Sequence, residues 1–473
     1  MNHDTMLRMT GARPSRICQH PIWLIIVIAA PIFTAAMLVW SLNFHNTDGF
    51  FRVIRPVQPA LAFMILVSLA PAILTGVNAR LKSNLSLRSR LSLLTAILAV
   101  FGVMMPVAGF SYIGGYSLIE AGNKPVQLLV LDRTGNNGVP GIAVTFWTKQ
   151  STQNTLKWDA GTSSGRLTEN TPSRSHYFVL RDLPQDTEVN YQVNQGETRR
   201  FRTPPKPGQQ FRFTVTSDAH FGASDARPDL TAKMLRQIAS PQNRFSVFIF
   251  TGDLVEHGYN DSHWQEALST ITSGTSFIPS LFAAGNHDTI MGGLRRFQEY
   301  LTPANRTDSL WRRVDVSGVH FFLLDREWND DSIPPERKTW LERELRSIPP
   351  SDWTVVISHA YYYASGGVYG WYPWYDDETA IRELVPLFEK YDVDLVFSGH
   401  NHQLELLQKN KITYVICGAF GGIPDPPATY TSPASVWYAG GQYGFVEATL
   451  GDRAELIFRD ADSRALKTFI IER

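Results

Sequence analysis

Five times after residue 210 an apolar run ends in Asp, His or Asn. Phe211–Thr216 runs into Asp218 and His220, and Phe245–Phe250 into Gly252 and Asp253. Phe277–Ala283 leads to Gly285, Asn286, His287 and Asp288. Trp353–Ile357 ends in Ser358 and His359, and Leu395–Phe397 in Gly399, His400, Asn401 and His402. A further apolar run covers His320–Leu324. Helical patterns separate these runs at Asp229–Ala239, Trp264–Ile271, Leu294–Tyr300, Glu336–Arg346 and Thr379–Glu389. Short strands alternating with helices predict an α/β domain with layered sheets over residues 208–473. In such folds the carboxyl ends of strands face the ligand. The polar endings therefore converge on one edge. Only 12 residues of the chain are His, and five of them sit in these blocks, a grouping that scattered surface histidines do not produce.

Imidazole and carboxylate together suit zinc, manganese and iron. The donors outnumber what one tetrahedral ion takes, and a carboxylate such as Asp253 is able to bridge two ions. Two metals about 3.5–4 Å apart suit in-line displacement at phosphorus, since both neutralise charge on the phosphoryl oxygens.

The order and spelling of the five blocks resemble the calcineurin-like metallophosphoesterase superfamily, from about Phe211 to Arg473. Trp340, Leu341, Glu342, Arg343, Glu344 and Leu345 are similar to that family's helix between its third and fourth blocks. The resemblance implies a layered β-sandwich flanked by helices, and a metal-dependent phosphoric ester hydrolase using metal-activated water. It implies that Asp218, His220, Asp253 and His402 hold one ion, and Asp253, Asn286, His359 and His400 the other. His287 then acts as general acid or phosphate-binding group, oriented by Asp288. The cofactors implied are two divalent or trivalent ions, Fe, Mn or Zn.

The layout, with a β module in front, is also similar to the purple acid phosphatases. Two residues depart from that pattern. Those enzymes lack a His at position 220 and carry a Tyr ligand where Glu256 stands here, so no purple tyrosinate colour is expected. Glu256 reads as a partner of a ligand rather than a ligand, and His257 as a solvated loop residue.

The first quarter has another character. Runs at about 21–42, 59–77 and 91–113 contain no charged residue. Each approaches the ~20 residues that cross a ~30 Å hydrocarbon core, which predicts a membrane region over residues 1–120 with three transmembrane helices. The first run exceeds the ~7–15-residue core of a signal peptide, favouring an anchor. Arg8, Arg13 and Arg16 precede it, and Arg80, Lys82, Arg88 and Arg90 lie between the second and third runs. By the positive-inside rule the N-terminus is cytoplasmic and the bulk extracytoplasmic, periplasmic or extracellular, although Arg52 and Arg55 run against this. The partners predicted are the bilayer and a phosphate-ester substrate.

Between these parts, residues 121–207 read as short strands with frequent turns, including Gly135–Gly138. Leu180, Arg181, Asp182, Leu183 and Pro184, with Tyr191 and the exit at Phe201–Pro205, resemble a fibronectin type III-like β-sandwich. Tyr191 is the candidate tyrosine-corner residue, and a spacer is the favoured role for the module. After His359 comes a Gly-rich aromatic stretch, Tyr361–Tyr363 and Tyr369–Tyr375, with Trp371 and Trp374. It reads as an irregular loop, a wall or lid over the leaving group or simply packing. Cys417, closing an apolar run, reads as a buried small hydrophobe.

Lys+Arg and Asp+Glu both number 44, so no bulk basic excess is available for nucleic acid, and no nucleic-acid partner is expected. Two cysteines exclude a disulfide scaffold. The leading reading is a membrane-anchored phosphohydrolase favouring phosphomonoesters. Phosphodiesters, a lipid-linked phosphate, or an inactive membrane sensor or adhesion protein stay open beside it.

Overall fold

The computed structural model describes residues 128–473 apart from 135–139, 241, 291–292, 303–309, 327–331 and 370–371, together with residue 32 and parts of 70–80 and 87–100. The chain divides into two compact units, Met1–Tyr116 and Ser117–Arg473.

In the first unit, most of the apolar runs at 21–42, 59–77 and 91–113 lies outside the described residues. So do Arg8, Arg13, Arg16, Arg52 and Arg55. The described parts are helical. Among the described residues no helix is long and apolar enough to cross a membrane. Ile73, Val77, Leu93, Leu94, Ile97 and Val100 on these helical pieces are exposed. The Asn78 amide donates to Ser92 Oγ at 2.5 Å.

The second unit is built on two large mixed sheets. One has nine strands, in the order Ala465–Ile471, Ala454–Asp460, Gly444–Leu450, Phe211–Thr216, Val247–Phe250, Ser280–Phe282, Leu128–Thr134, Pro140–Thr152 and Ser173–Leu180. The other has seven, in the order Arg312–Val316, Val319–Leu323, Trp353–Ile357, Leu395–Ser398, Ile412–Cys417, Leu404–Lys409 and Ser435–Ala439. Phe211–Thr216, Val247–Phe250 and Ser280–Phe282 run parallel, as do Val319–Leu323, Trp353–Ile357, Leu395–Ser398 and Ile412–Cys417.

The central strands read as unbroken apolar runs because both their faces are buried. Val247 and Ile249 belong to the core between the sheets, while Phe248 and Phe250 pack outward with Trp264, Leu268 and Ile271 of helix Asp261–Thr275. In the second sheet Phe321, Val355 and Leu395 point inward. Phe322, Val356 and Val396 cover Leu341 and Leu345 of helix Pro335–Arg346. Phe213 clasps the two sheets, with its ring 5.6 Å from Phe321 and 5.8 Å from Phe397. The result is a layered α/β fold, two sheets face to face with helices outside, as the alternation of runs predicts.

Two elements differ from the expectation. Helix 379–389 is two helices, Glu378–Glu383 and Val385–Lys390, meeting at Leu384. Pro386 lacks the N–H an uninterrupted helix needs and is accepted in the first turn of the second piece. The aromatic stretch is not wholly irregular, because Val368–Tyr369 pairs with Tyr372–Pro373 as a short hairpin. Trp371 lies outside the described residues, as does the Gly135–Gly138 turn.

Within 121–207, the described strands form two antiparallel groups. Leu128–Thr134, Pro140–Thr152 and Ser173–Leu180 make one, and Thr155–Asp159, Ser164–Thr168, Glu188–Val193 and Arg199–Arg202 the other. Leu129, Val144, Leu156, Val189 and Phe201 share one core. The first group also continues the nine-stranded sheet, through Val130 opposite Ser280. Tyr191 is buried, its ring 5.9 Å from Phe201, but its hydroxyl finds no backbone acceptor among the described residues. A tyrosine corner needs a backbone acceptor for that hydroxyl, so Tyr191 serves here as core packing. Burial pushes its phenol up to about 12.

Candidate metal centre

Every block delivers its residues just past a strand end, where the chain turns sharply. Asp218, His220, Asp253 and His400 are held at φ of 61°, 48°, 53° and 70°. Non-glycine residues enter that region at a cost, and such strain gathers at functional sites. Close backbone approach adds a second constraint. A side chain on Gly285 would strike Asp253, and one on Gly399 would strike Asp218.

Among the described residues the donors form three groups, each with its ligand atoms within 4.8 Å of one another: Asp218, His220 and His402; Asp253, His359 and His400; and His220, Glu256 and His287. Asp218 Oδ1 lies 3.3 Å from His402 Nε2 and 3.7 Å from His220 Nε2. In the second group Asp253 Oδ2 is 3.2 Å from His359 Nε2, and His400 Nδ1 is 3.3 Å from His359 Nε2. Asn286 Oδ1 stands 3.1 Å from both His359 Nε2 and His400 Nδ1. Asp253 Oδ2 also reaches within 3.7 Å of His220 Nε2. That one carboxylate oxygen therefore faces the first and second groups, while Oδ1 accepts the His287 backbone N–H at 2.8 Å.

The imidazoles are tied from behind. His220 Nδ1 lies 2.7 Å from Glu256 Oε2, His402 Nδ1 2.6 Å from the Ile423 carbonyl, and His359 Nδ1 3.0 Å from the Thr251 carbonyl. Each acceptor puts the ring proton on Nδ1 and leaves the Nε2 lone pair in the cleft. The Nε2 atoms of His220 and His402 are 3.1 Å apart. Two lone pairs at that distance repel unless a cation lies between them. The donor set thus fits metal ions: hard carboxylate and amide oxygens, borderline imidazoles, and outer partners fixing the tautomers of His220, His359 and His402.

Charge in the cleft follows the same logic. Burial works to raise the Asp253 carboxyl, but His359 and His287 outweigh it and hold it well below the usual carboxylate range. Asp218 is depressed against burial by His359, His220 and His402. Burial opposes charge on His359, yet Asp253 and Asp218 lift it to about 9, so a metal ion that takes its Nε2 lone pair displaces a proton. His400, desolvated and beside His359, falls to about 3.

All seven predicted metal ligands meet in this cleft, and His287 stands next to them with its ring 4.6 Å from His220. Asp288 does not orient His287. Its Oδ1 accepts the N–H groups of Leu254 (2.8 Å) and Val255 (3.1 Å), and its Oδ2 that of Gly285 (3.0 Å). Asp288 thus fastens the Asp253 turn to the Asn286 turn. His287 Nδ1 is held instead by the Glu256 carbonyl at 2.7 Å, with Glu256 Oε2 at 3.5 Å. Glu256 consequently supports two histidines at once, the partner role its position predicts. His257 stays outside the cluster, its ring against Tyr259 and His263. Sequence reasoning missed Ile423 and Thr251 because they act through backbone carbonyls, which leave no side-chain signal. Asp425, which accepts the His402 N–H at 2.8 Å, gave no motif either. Cys417 is fully buried, its thiol 3.1 Å from the Ser398 carbonyl, as a small core residue.

Residues 211–404, about two fifths of the chain, match the family described as Calcineurin-like phosphoesterase. That match, together with the His/Asp donor groups, supports a metal-dependent phosphoesterase site holding two divalent or trivalent metal ions. Purple acid phosphatases are among the chain's relatives. Purple acid phosphatase 1 of Ipomoea batatas is 25% identical over 267 residues, 52% of this chain and 54% of that protein. Fe(3+)-Zn(2+) purple acid phosphatase 12 of Arabidopsis thaliana is 22% identical, over 70% of this chain and 74% of that one. The purple acid phosphatase PPD1 of yellow lupin (Lupinus luteus) seeds superposes with a TM-score of 0.61 at 19% identity, over 74% of this chain and 75% of its own, which shows a shared fold. The chain thus spans about half the length of the first of these relatives and three quarters of the other two.

Proposed function

We propose that this chain is a membrane-anchored phosphomonoesterase with a dinuclear metal site, acting outside the cytoplasm. One observation carries the hydrolase reading: a single carboxylate oxygen, Asp253 Oδ2, lies 3.2 Å from His359 Nε2 in one donor group and 3.7 Å from His220 Nε2 in the other. Bound metal ions supply Lewis-acid stabilisation of the phosphoryl oxygens and lower the pKa of water. The protein does the rest. Asp218, His220 and His402 hold one position, Asn286, His359 and His400 the other, and Asp253 sets their spacing. His287, its Nδ1 occupied by the Glu256 carbonyl and its ring 4.6 Å from that of His220, donates a proton to the departing alkoxide from its doubly protonated form. Monoesters are favoured because the relatives are phosphatases by name.

The membrane part of the proposal is supported by the three uncharged runs and by the Lys/Arg distribution around them. We place the phosphoesterase domain on the extracytoplasmic side. Residues 121–207 serve as a fibronectin type III-like spacer, a reading supported by antiparallel groups of three and four strands around one core.

The test uses the full chain in detergent, loaded separately with manganese, zinc and iron. kcat/KM is compared for nitrophenyl phosphate and bis-nitrophenyl phosphate, with Asn286→Ala/His400→Ala as control. Metal-dependent turnover that prefers the monoester and disappears in the control is expected. Two bound metals without turnover of either ester would contradict the reading. Protease access to a C-terminal tag on intact cells checks the orientation, and a protected tag would reverse it.

A further inference from the structure

The aromatic stretch after His359 is fastened down at residues 364–367 and 374–376. Gly366 exchanges backbone hydrogen bonds with Tyr430 at 3.0 and 2.9 Å, and the Trp374 N–H meets the Gly367 carbonyl at 2.8 Å. The Asp376 carboxylate accepts the Ala364 N–H at 3.0 Å and the Tyr430 hydroxyl at 2.7 Å. The buried Glu405 carboxylate takes the Ser365 N–H at 2.9 Å and its hydroxyl at 2.6 Å. A segment held at so many points is a wall, not a lid.

One contact ties this wall to the metal ligands themselves. Asn401 stands between His400 and His402 and is fully buried. Its side-chain amide donates both protons into the wall, to the Ser365 carbonyl at 3.0 Å and the Trp374 carbonyl at 3.1 Å. A primary amide has two N–H groups on one planar nitrogen, so Asn is the residue type that spans two carbonyls this way. Trp374 is thereby set with its ring centroid 5.0 Å from the His400 imidazole and 41° from its plane. The indole is half-buried. It flanks the second donor group, whereas His287 flanks the first.

We infer that Trp374, positioned by Asn401, is a specificity-determining wall of the cleft that selects phosphate esters whose leaving group is a planar ring. The inference rests on the hydrolase reading above and names its substrate class. A phosphoryl group held by the donor groups directs its ester oxygen and leaving group toward the walls of the cleft. A fixed indole offers a flat leaving group a stacking surface that costs no ordering when the substrate binds. A puckered aliphatic group of equal size loses that stacking and keeps only burial.

The test measures binding as well as turnover, on the metal-loaded full chain. Dissociation constants of phenylphosphonate and cyclohexylphosphonate are taken by calorimetry, and kcat/KM for phenyl and cyclohexyl phosphate in parallel. The variants are Trp374→Leu, Trp374→Phe and Asn401→Ala, with metal content measured on each. In the wild type the phenyl compound should bind more tightly. Trp374→Leu should weaken phenyl binding about two- to tenfold, leave cyclohexyl binding within twofold and keep two metals. Trp374→Phe should restore most of the preference, and Asn401→Ala should lower it through KM more than kcat. Equal weakening of both compounds by Trp374→Leu, with metals retained, would overturn the inference and leave the hydrolase reading standing. Failure of both phosphonates to bind the metal-loaded wild type would overturn the two together.

Discussion

Glu256 offers a sharp test of how the cleft is organised. Its carboxylate lies 2.7 Å from His220 Nδ1 and 3.5 Å from His287 Nδ1, and its carbonyl holds the latter at 2.7 Å. Burial alone would raise this carboxyl, but the hydrogen bond to His220 and the charge of His287 hold it below its usual range, so it is anionic at neutral pH. An anion behind Nδ1 makes the Nε2 lone pair of His220 more basic and fixes its direction. Outer partners of this kind are worth about 10–100-fold in metal affinity or activity, or about 1.4–2.8 kcal/mol. Glu256→Ala should therefore weaken one of the two bound ions by one to two orders of magnitude. Glu256→Gln still accepts the Nδ1 proton without the charge and should fall between. The assay is competition against a calibrated chelator, read as two sequential release steps, with kcat measured at saturating metal. Unchanged affinity of both sites in Glu256→Ala would refute the argument that this carboxylate fixes the His220 tautomer.

Four further outcomes are expected. Asp253→Asn should remove the shared ligand and abolish turnover, and elemental analysis should find fewer than two ions per chain. His287→Ala should lower kcat about 10²–10⁴-fold with both metals retained. Burial holds the His287 imidazole below its usual range, so the protonated, donating form is lost as pH rises through that lowered value. Wild-type kcat should accordingly fall with rising pH, and His287→Ala should lack that limb. Asp288→Ala leaves three backbone N–H groups in a buried pocket without their acceptor and should destabilise the chain by at least about 2 kcal/mol in urea unfolding, at matched metal occupancy. Chelator treatment should lower Tm, because ions that bind only the folded state stabilise it by mass action.

The parallel strands were legible because burial on both faces turns them into unbroken apolar runs, as at Phe211–Thr216 and Trp353–Ile357, which match residue for residue. The ligands were legible because each closes such a run. The C-terminal strands were harder to read. Gly444–Leu450 lies beside Phe211–Thr216, with Val446 opposite Val215, and nothing local in either segment encodes that long-range register. The break at Leu384 was visible as Pro386, yet the apolar period continued across it. Asp288 was misassigned because adjacency to His287 in sequence says nothing about direction; in the short helix Asn286–Thr289 the two side chains take different partners, Asp288 the N–H groups of Leu254, Val255 and Gly285 and His287 the Glu256 carbonyl. Glu256 was recognised by position, but its grip on His287 runs through a carbonyl.

The central claim is that two metal ions share Asp253. Anomalous X-ray diffraction from the manganese-loaded chain tests it most directly. The account predicts two peaks about 3.5–4 Å apart, with one Asp253 oxygen between them and both peaks lost or reduced in Asp253→Asn. A single peak, or two that Asp253 does not join, would contradict it.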